Sequence, residues 1–184
     1  MPLEIEVKLK VEGHEGVLAK LKALGAVHVG KVREKNIFFD RNGGELRKED
    51  RGLRVRLTEA GGAGGKALVT LKGPAGKTGL RSREAFDVFC EPVEQVIPLL
   101  EALGFERVMS FEKDRDSWEV EGCKVELDTL PHFGKFLEVE GPSEEAVKAV
   151  QGKLGLGGLQ AVRESYSAMV GNFLRERGEM KLEF

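Results

Sequence analysis

The 184-residue sequence predicts an α+β fold in which about eight antiparallel strands curl into a closed β-barrel with helices packed outside. Two observations carry this. A strand, a helix and a Leu-Gly stop recur three times along the chain, and strand after strand sets charged residues opposite apolar ones.

Leu3 to Val11 alternates strictly, with Leu3, Ile5, Val7, Leu9 and Val11 on one face and Glu4, Glu6, Lys8 and Lys10 on the other. That is a strand. It leads into a short helix with Val17, Leu18, Leu21 and Leu24 at helical spacing and a stop at Gly25. The unit returns at Arg83 to Val88 followed by Val96, Leu99, Leu100, Leu103 and Gly104, where Pro98 predicts a late start or a kink. It returns again at Phe136 to Glu140 followed by Ala146, Val147, Val150, Leu154 and Gly155.

Further strands fall at Val27 to Asp40, where alternation is poor, and at Leu53 to Glu59, Lys66 to Lys72, Phe105 to Trp118 and Cys123 to Leu130. Gly61 to Gly65 and Gly73 to Gly79 read as hairpin tips. A last helix is expected over Val162 to Arg177, with Val162, Tyr166, Met169, Val170 and Phe173 on its apolar stripe. No linker divides the chain, so one domain over 1–184 is expected, with the barrel at 2–141 and carboxy-terminal helices at 143–177.

Lys+Arg 29 nearly cancels Asp+Glu 31, so the net charge of -2 argues against nucleic acid or a membrane surface as partner. Cys90 and Cys123 are too few for a disulfide framework, and no apolar run or leader is evident, which predicts a cytoplasmic protein. Oligomeric state stays open, a homodimer included.

The charge is informative by its arrangement. Arg54 and Arg56 stand opposite Leu53, Val55 and Leu57; Lys72 opposite Val69 and Leu71; Arg83 and Asp87 opposite Phe86 and Val88. Lys113 and Arg115 share a face, as do Glu126 with Asp128 and Glu138 with Glu140. One such strand is ordinary half-buried surface. Many of them, with helices available to cover the apolar faces, place the charges in a lumen, where buried cations need carboxylates, metal ions or an anionic ligand to balance them. Polyphosphate and divalent cations are the natural complement.

Other motifs weigh less. Gly76-Lys77-Thr78 mimics a P-loop end, but Leu71 stands at the required glycine and the segment joins two strands. His14, His28 and His132 show no ligand spacing, Glu84 has outward parity, and Trp118 and Tyr166 read as packing residues.

The ordered motifs resemble the CYTH or triphosphate tunnel metalloenzyme family, which includes class IV adenylyl cyclases and thiamine triphosphatases. They are Glu4-Ile5-Glu6-Val7-Lys8, then Leu53-Arg54-Val55-Arg56, Thr70-Leu71-Lys72-Gly73-Pro74, Ser82-Arg83-Glu84, Lys113-Asp114-Arg115, Glu126-Leu127-Asp128 and Phe136-Leu137-Glu138-Val139-Glu140. Glu34 to Asp40 is similar to the family's second strand, and Ser165-Tyr166 to its carboxy-terminal helix.

The resemblance implies an eight-stranded antiparallel tunnel acting on a small-molecule triphosphate, such as tripolyphosphate, thiamine triphosphate or ATP, with Mg2+ or Mn2+. It implies phosphate binding by Lys8, Arg54, Arg56, Lys72, Arg83, Lys113 and Arg115. Metal would lie on Glu4, Glu6, Asp128, Glu138 and Glu140, and catalysis would involve Glu4, Glu6 and Lys8. Ala85 stands where relatives often carry a carboxylate, and Asp87 is shorter than the usual Glu. The activity expected is triphosphate hydrolysis. The alternatives are cyclisation of ATP to cyclic AMP and a binding module without turnover.

Overall fold

The computed structural model of the chain describes residues 3–59, 66–76 and 81–184, with backbone alone for 3, 4, 59, 66, 81 and 82. The hairpin tip expected at Gly61 to Gly65, and the part of Gly73 to Gly79 from residue 77 onward, lie outside the described residues.

The elements follow as β1 (Leu3–Val11), α1 (Glu15–Ala23), β2 (Val27–Asp40), α2 (Glu45–Lys48), β3 (Gly52–Glu59), β4 (Lys66–Ala75) and β5 (Arg81–Cys90). Then come α3 (Val93–Ala102), β6 (Glu106–Val120), β7 (Cys123–Leu130), β8 (Gly134–Gly141), α4 (Glu144–Lys153), α5 (Tyr166–Arg177) and β9 (Lys181–Leu182). The fold is α+β, built on a curled antiparallel sheet of eight strands with helices outside. The strands pair in the order β2-β3-β4-β5-β1-β8-β7-β6, and β6 also pairs with β2, from Val27 opposite Glu119 to Asp40 opposite Glu106. The β1–β5 seam is short, running from Leu3 and Glu84 to Glu6 and Arg81.

The expected strands are all present, and the Leu-Gly stops are real. Gly25, Gly104 and Gly155 follow their helices at φ of 70°, 85° and 70°, where a side chain would be strained. Ser143 and Ser165 cap α4 and α5 by accepting from Ala146 N and Ala168 N. Three expectations needed correction. The helix after β5 begins directly at Val93 and carries Pro98 inside it, because Pro92 already supplies its start. The last helix begins at Tyr166 rather than Val162, since Val162 N is held by Lys8 O beside a bridge from Ala161 to Leu9. α2 and β9 were not foreseen, being too short to leave a periodic signal.

The outward parity of the strands forms two apolar cores. Val7, Leu9, Val125, Leu127, Leu137 and Val139 pack beneath α1 and α4, and Ile37, Phe39, Leu53, Val55 and Ala67 pack with Val96 of α3. Burial of such side chains contributes about 1.5–3 kcal/mol each. Coverage is incomplete on β5, where Phe86 and Val88 are more than half exposed because α3 lies over β4 instead.

A third core uses the opposite parity. Phe111, Leu130 and Phe136 share the faces of Lys113, Asp128 and Glu138, yet they pack with Tyr166, Val170 and Leu174 of α5 and with Leu182 of β9. One end of the inner face is therefore apolar and covered by the carboxy-terminal helix. Among the described residues no helix is long and apolar enough to cross a membrane.

Candidate functional site

The inner face begins as parity and ends as a network. In β6, Lys113 and Arg115 point away from the helices because Trp118 and Val120 must point toward them; β7 and β8 direct Asp128 and Glu138 inward for the same reason. Lys8, Lys113, Arg115, Asp128 and Glu138 are all buried.

Arg115 is the hub. Its Nε and Nη2 donate to Asp128 at 2.7 and 2.6 Å, Nη2 also donates to Glu138 Oε2 at 2.7 Å, and Nη1 is paired with Glu126. Lys113 Nζ donates to Asp128 Oδ2 at 3.0 Å and lies 3.5 Å from Glu34 Oε2. Lys8 Nζ donates to Glu164 O at 3.0 Å, lies 3.5 Å from Glu138 Oε1 and sits 3.9 Å over the Tyr166 ring. Tyr166 thus packs as expected and also supports a cation.

Electrostatics follow from burial and from these partners. Burial alone would raise the Glu34 carboxyl, but Lys113, Arg115 and Arg56 overcome it and hold the pKa at about 2. Asp128 and Glu138 are likewise pushed up by burial and brought below the usual carboxylate range by Arg115 and Lys113. Glu126 goes the other way, burial raising it despite the same two cations. Burial would lower Arg115, yet Asp128, Glu126 and Glu34 raise it well above the ordinary value. Burial, then Glu138 and Asp128, push the Tyr166 phenol up.

The β3–β5 side differs. Arg56 Nη1 lies 3.3 Å from Glu34 Oε1 and its Nε donates to Asn36 at 3.4 Å. Arg54 donates from Nη2 to Thr70 Oγ1 at 3.2 Å, and its buried Nε has no hydrogen-bond partner among the described residues. Burial and the neighbouring Arg56 lower its pKa to about 9, a guanidinium under electrostatic load. Arg83 stands apart from the network, donating to Asp50 and to Gly73 O. Lys72 is half-buried on the same face as Thr70.

Of the remaining carboxylates, Glu6 lies directly opposite Glu140 across β1 and β8, and Glu140 lies 3.8 Å from Lys124. Glu4 opposes Arg83 in the backbone register, and its side chain is outside the described residues. Glu84 is exposed, as its parity predicts, and Ala85 is buried.

Sequence reasoning singled out neither Glu34 nor Thr70 for the site, and it left Glu126 as a motif member without a role. Glu34 was hidden because β2 lacks clean alternation, its register being shifted near His28 and again at Phe38. Ile37 and Phe39 facing the α3 core would have identified Glu34 and Asn36 as inward. For Thr70, its parity with Lys72 was the available signal.

Comparison with known proteins agrees with this architecture. The family model described as the CYTH domain matches residues 2–166. A Methanocaldococcus jannaschii protein named as a putative adenylate cyclase is 30% identical over 138 residues, 75% of this chain and 76% of that one. The solved structure of the PH1819 protein from Pyrococcus horikoshii has a TM-score of 0.79 at 25% identity, covering 92% of this chain and 99% of its own. A Hippeastrum structure, described as a putative adenylyl cyclase with a dominant triphosphatase activity, has a TM-score of 0.69 at 23% identity over 97% of each chain, a likeness of fold alone. The inner charges, the strand order and these matches lead to one identification: the chain belongs to the CYTH domain family.

Proposed function

We propose that the ring of strands encloses a tunnel in which the chain cleaves a phosphoanhydride bond of a small triphosphate with the help of a divalent metal. The observation that carries this reading is Arg54, half-buried beside Arg56 with its buried Nε unpartnered among the described residues. A cation in that setting is stabilised by an anion, and a phosphate oxygen supplies both the charge and the acceptor.

The assignment by residue follows the two sides of the lumen. Arg54, Arg56, Lys72 and Arg83 receive the phosphate chain, and Lys8 and Lys113 reach it from the opposite side. Lys8 is well suited to fix one oxygen, because Glu164 O, Glu138 and the Tyr166 ring already immobilise its ammonium. Arg115 takes part through the carboxylates it holds in place.

Mg2+ or Mn2+ fits the chemistry of the donor set. Glu6 and Glu140 face each other across two strands, where a divalent cation between them would ease the repulsion of like charges placed directly opposite. Both offer the hard oxygen ligands these ions prefer, with Glu4 and Glu138 on the same faces of their strands. Among the described residues no three acidic, His or Cys side chains already converge on one point. Substrate oxygens would complete the shell, as is usual for Mg2+. Asp128, with both oxygens on Arg115 and Lys113, acts as the support of those cations. Bound metal supplies charge neutralisation at the phosphate oxygens; the side chains hold the chain in line and keep bulk water out through the apolar end of the lumen.

A second reading, cyclisation of ATP, is favoured by the name of the Methanocaldococcus jannaschii relative. The two reactions differ in the nucleophile, water or the ribose 3′-hydroxyl. Chromatography of the products from tripolyphosphate, thiamine triphosphate and ATP tests them side by side. Phosphate released from a simple triphosphate faster than cyclic AMP from ATP is the expected result. Cyclic AMP and pyrophosphate as main products would replace hydrolysis by cyclisation.

A further inference from the structure

Arg54, Thr70 and Asp87 occupy three adjacent strands in one straight row, Arg54 opposite Thr70 between β3 and β4, and Thr70 opposite Asp87 between β4 and β5. Thr70 is fully buried, and its hydroxyl donates to Asp87 Oδ1 at 2.5 Å while accepting from Arg54 Nη2 at 3.2 Å. The direction of this row is fixed by chemistry. A guanidinium only donates and an ionised carboxylate only accepts, so the single hydroxyl proton must go to Asp87 and the lone pair must face Arg54. Thr70 is also β-branched and holds few rotamers, which makes it a stiff link.

We propose that Thr70 and Asp87 are positioning residues that aim the Arg54 guanidinium at the phosphate chain, an assignment that rests on the triphosphate reading above. The row anchors Arg54 through Nη2 and leaves Nε, which no group among the described residues satisfies, for the ligand. A long arginine side chain loses much rotamer freedom when it is fixed on a ligand, and ordering it in advance removes part of that cost from binding.

Asp87 has two opposed effects on an anionic ligand. Its charge repels the phosphate, whereas its hold on Thr70 orders Arg54. The carboxylate lies at the exposed end of the row and touches the hydroxyl rather than the guanidinium, so solvent weakens the repulsion and the ordering prevails. The next inward pair on the same strands, Lys72 opposite Ala85, has no acceptor at the β5 position. The Arg54 row carries one in Asp87.

Calorimetric titration of the full chain with tripolyphosphate in EDTA reads the cations without turnover, and steady-state kinetics with Mg2+ separates KM from kcat. Thr70→Val and Asp87→Ala, which removes the acceptor that Asn would keep, are each expected to weaken affinity about tenfold. They should raise KM more than they lower kcat. The double variant should be no weaker than Thr70→Val alone, because the two residues act in series, and Thr70→Ser should restore affinity to within about twofold of the parent. Ligand-free melting keeps a folding defect distinct, and Asp87→Ala, at an exposed position, serves if Thr70→Val does not fold. A parent chain without affinity for tripolyphosphate would overturn the triphosphate reading itself. Affinity in the parent together with unchanged or tighter binding by Asp87→Ala, or unchanged binding by Thr70→Val, would overturn the positioning role alone.

Discussion

The two sides of the inner face use the same residue types to opposite ends. On β6, β7, β8 and β1, the buried cations Lys8, Lys113 and Arg115 each have a carboxylate within 3.5 Å, and Arg115 has three. On β3, β4 and β5, Arg56 shares Glu34 with Lys113 and Arg83 is paired with Asp50 at the margin, whereas Arg54 bonds a hydroxyl. Paired charges of the first kind are framework, because removing one member leaves the others buried and uncompensated. A cation such as Arg54, bonded to a hydroxyl and next to Arg56, is a cost to the empty fold that an anion is expected to relieve. Which side a cation stands on therefore predicts whether its loss damages stability or binding.

The largest effect is expected from Asp128→Ala. It leaves Arg115 and Lys113 without their shared partner and should cost about 3–5 kcal/mol in urea denaturation. A loss under about 1 kcal/mol would show that the network is not framework.

Arg54→Ala tests the other side. Without ligand the variant should melt at or above the temperature of the parent, since it relieves the repulsion between Arg54 and Arg56. Tripolyphosphate should then raise its melting temperature far less than it raises the parent's. Equal ligand-induced shifts in the two proteins would erase the distinction between the sides.

A smaller effect is expected in acid. The Glu34 carboxyl has a pKa of about 2 in the fold against an ordinary 4.5, so its contribution to stability is complete above about 4.5 and is lost as pH falls from there through about 2. Glu126, raised by burial, works in the opposite direction and blunts the loss. Urea midpoints across this range should fall with pH in the parent and in Arg54→Ala alike. A Glu34→Gln variant with the same acid profile as the parent would remove Glu34 from the framework.

The smallest effect is expected at Glu84, exposed on the outer face of β5. Glu84→Gln should change stability by no more than about 0.5 kcal/mol and leave turnover intact, whereas Glu6→Gln, on the inner face, should abolish turnover with the melt preserved. Activity lost in the first and kept in the second would turn the strands inside out.

Much of this was already legible in the order of residues. Successive side chains on a strand point to opposite faces whatever the strand pairs with, so Leu3 to Val11 and Cys123 to Leu130 disclose their two faces without a tertiary structure. The Leu-Gly stops are legible for a similar reason, since the left-handed residue after a helix is a local backbone requirement. Partnership is different in kind. That Arg115 holds Asp128, Glu138 and Glu126, that Glu34 joins Lys113 to Arg56, and that Thr70 links Arg54 to Asp87 all depend on register between strands distant in sequence. The apolar end of the inner face is the clearest case. Phe111, Leu130 and Phe136 have the parity of the charged residues, and only the docking of α5 and Leu182 against them decides that their part of the inner face is core. Parity is set by the geometry of a single strand, whereas the environment a side chain meets is set by the shear and the covering of the whole sheet.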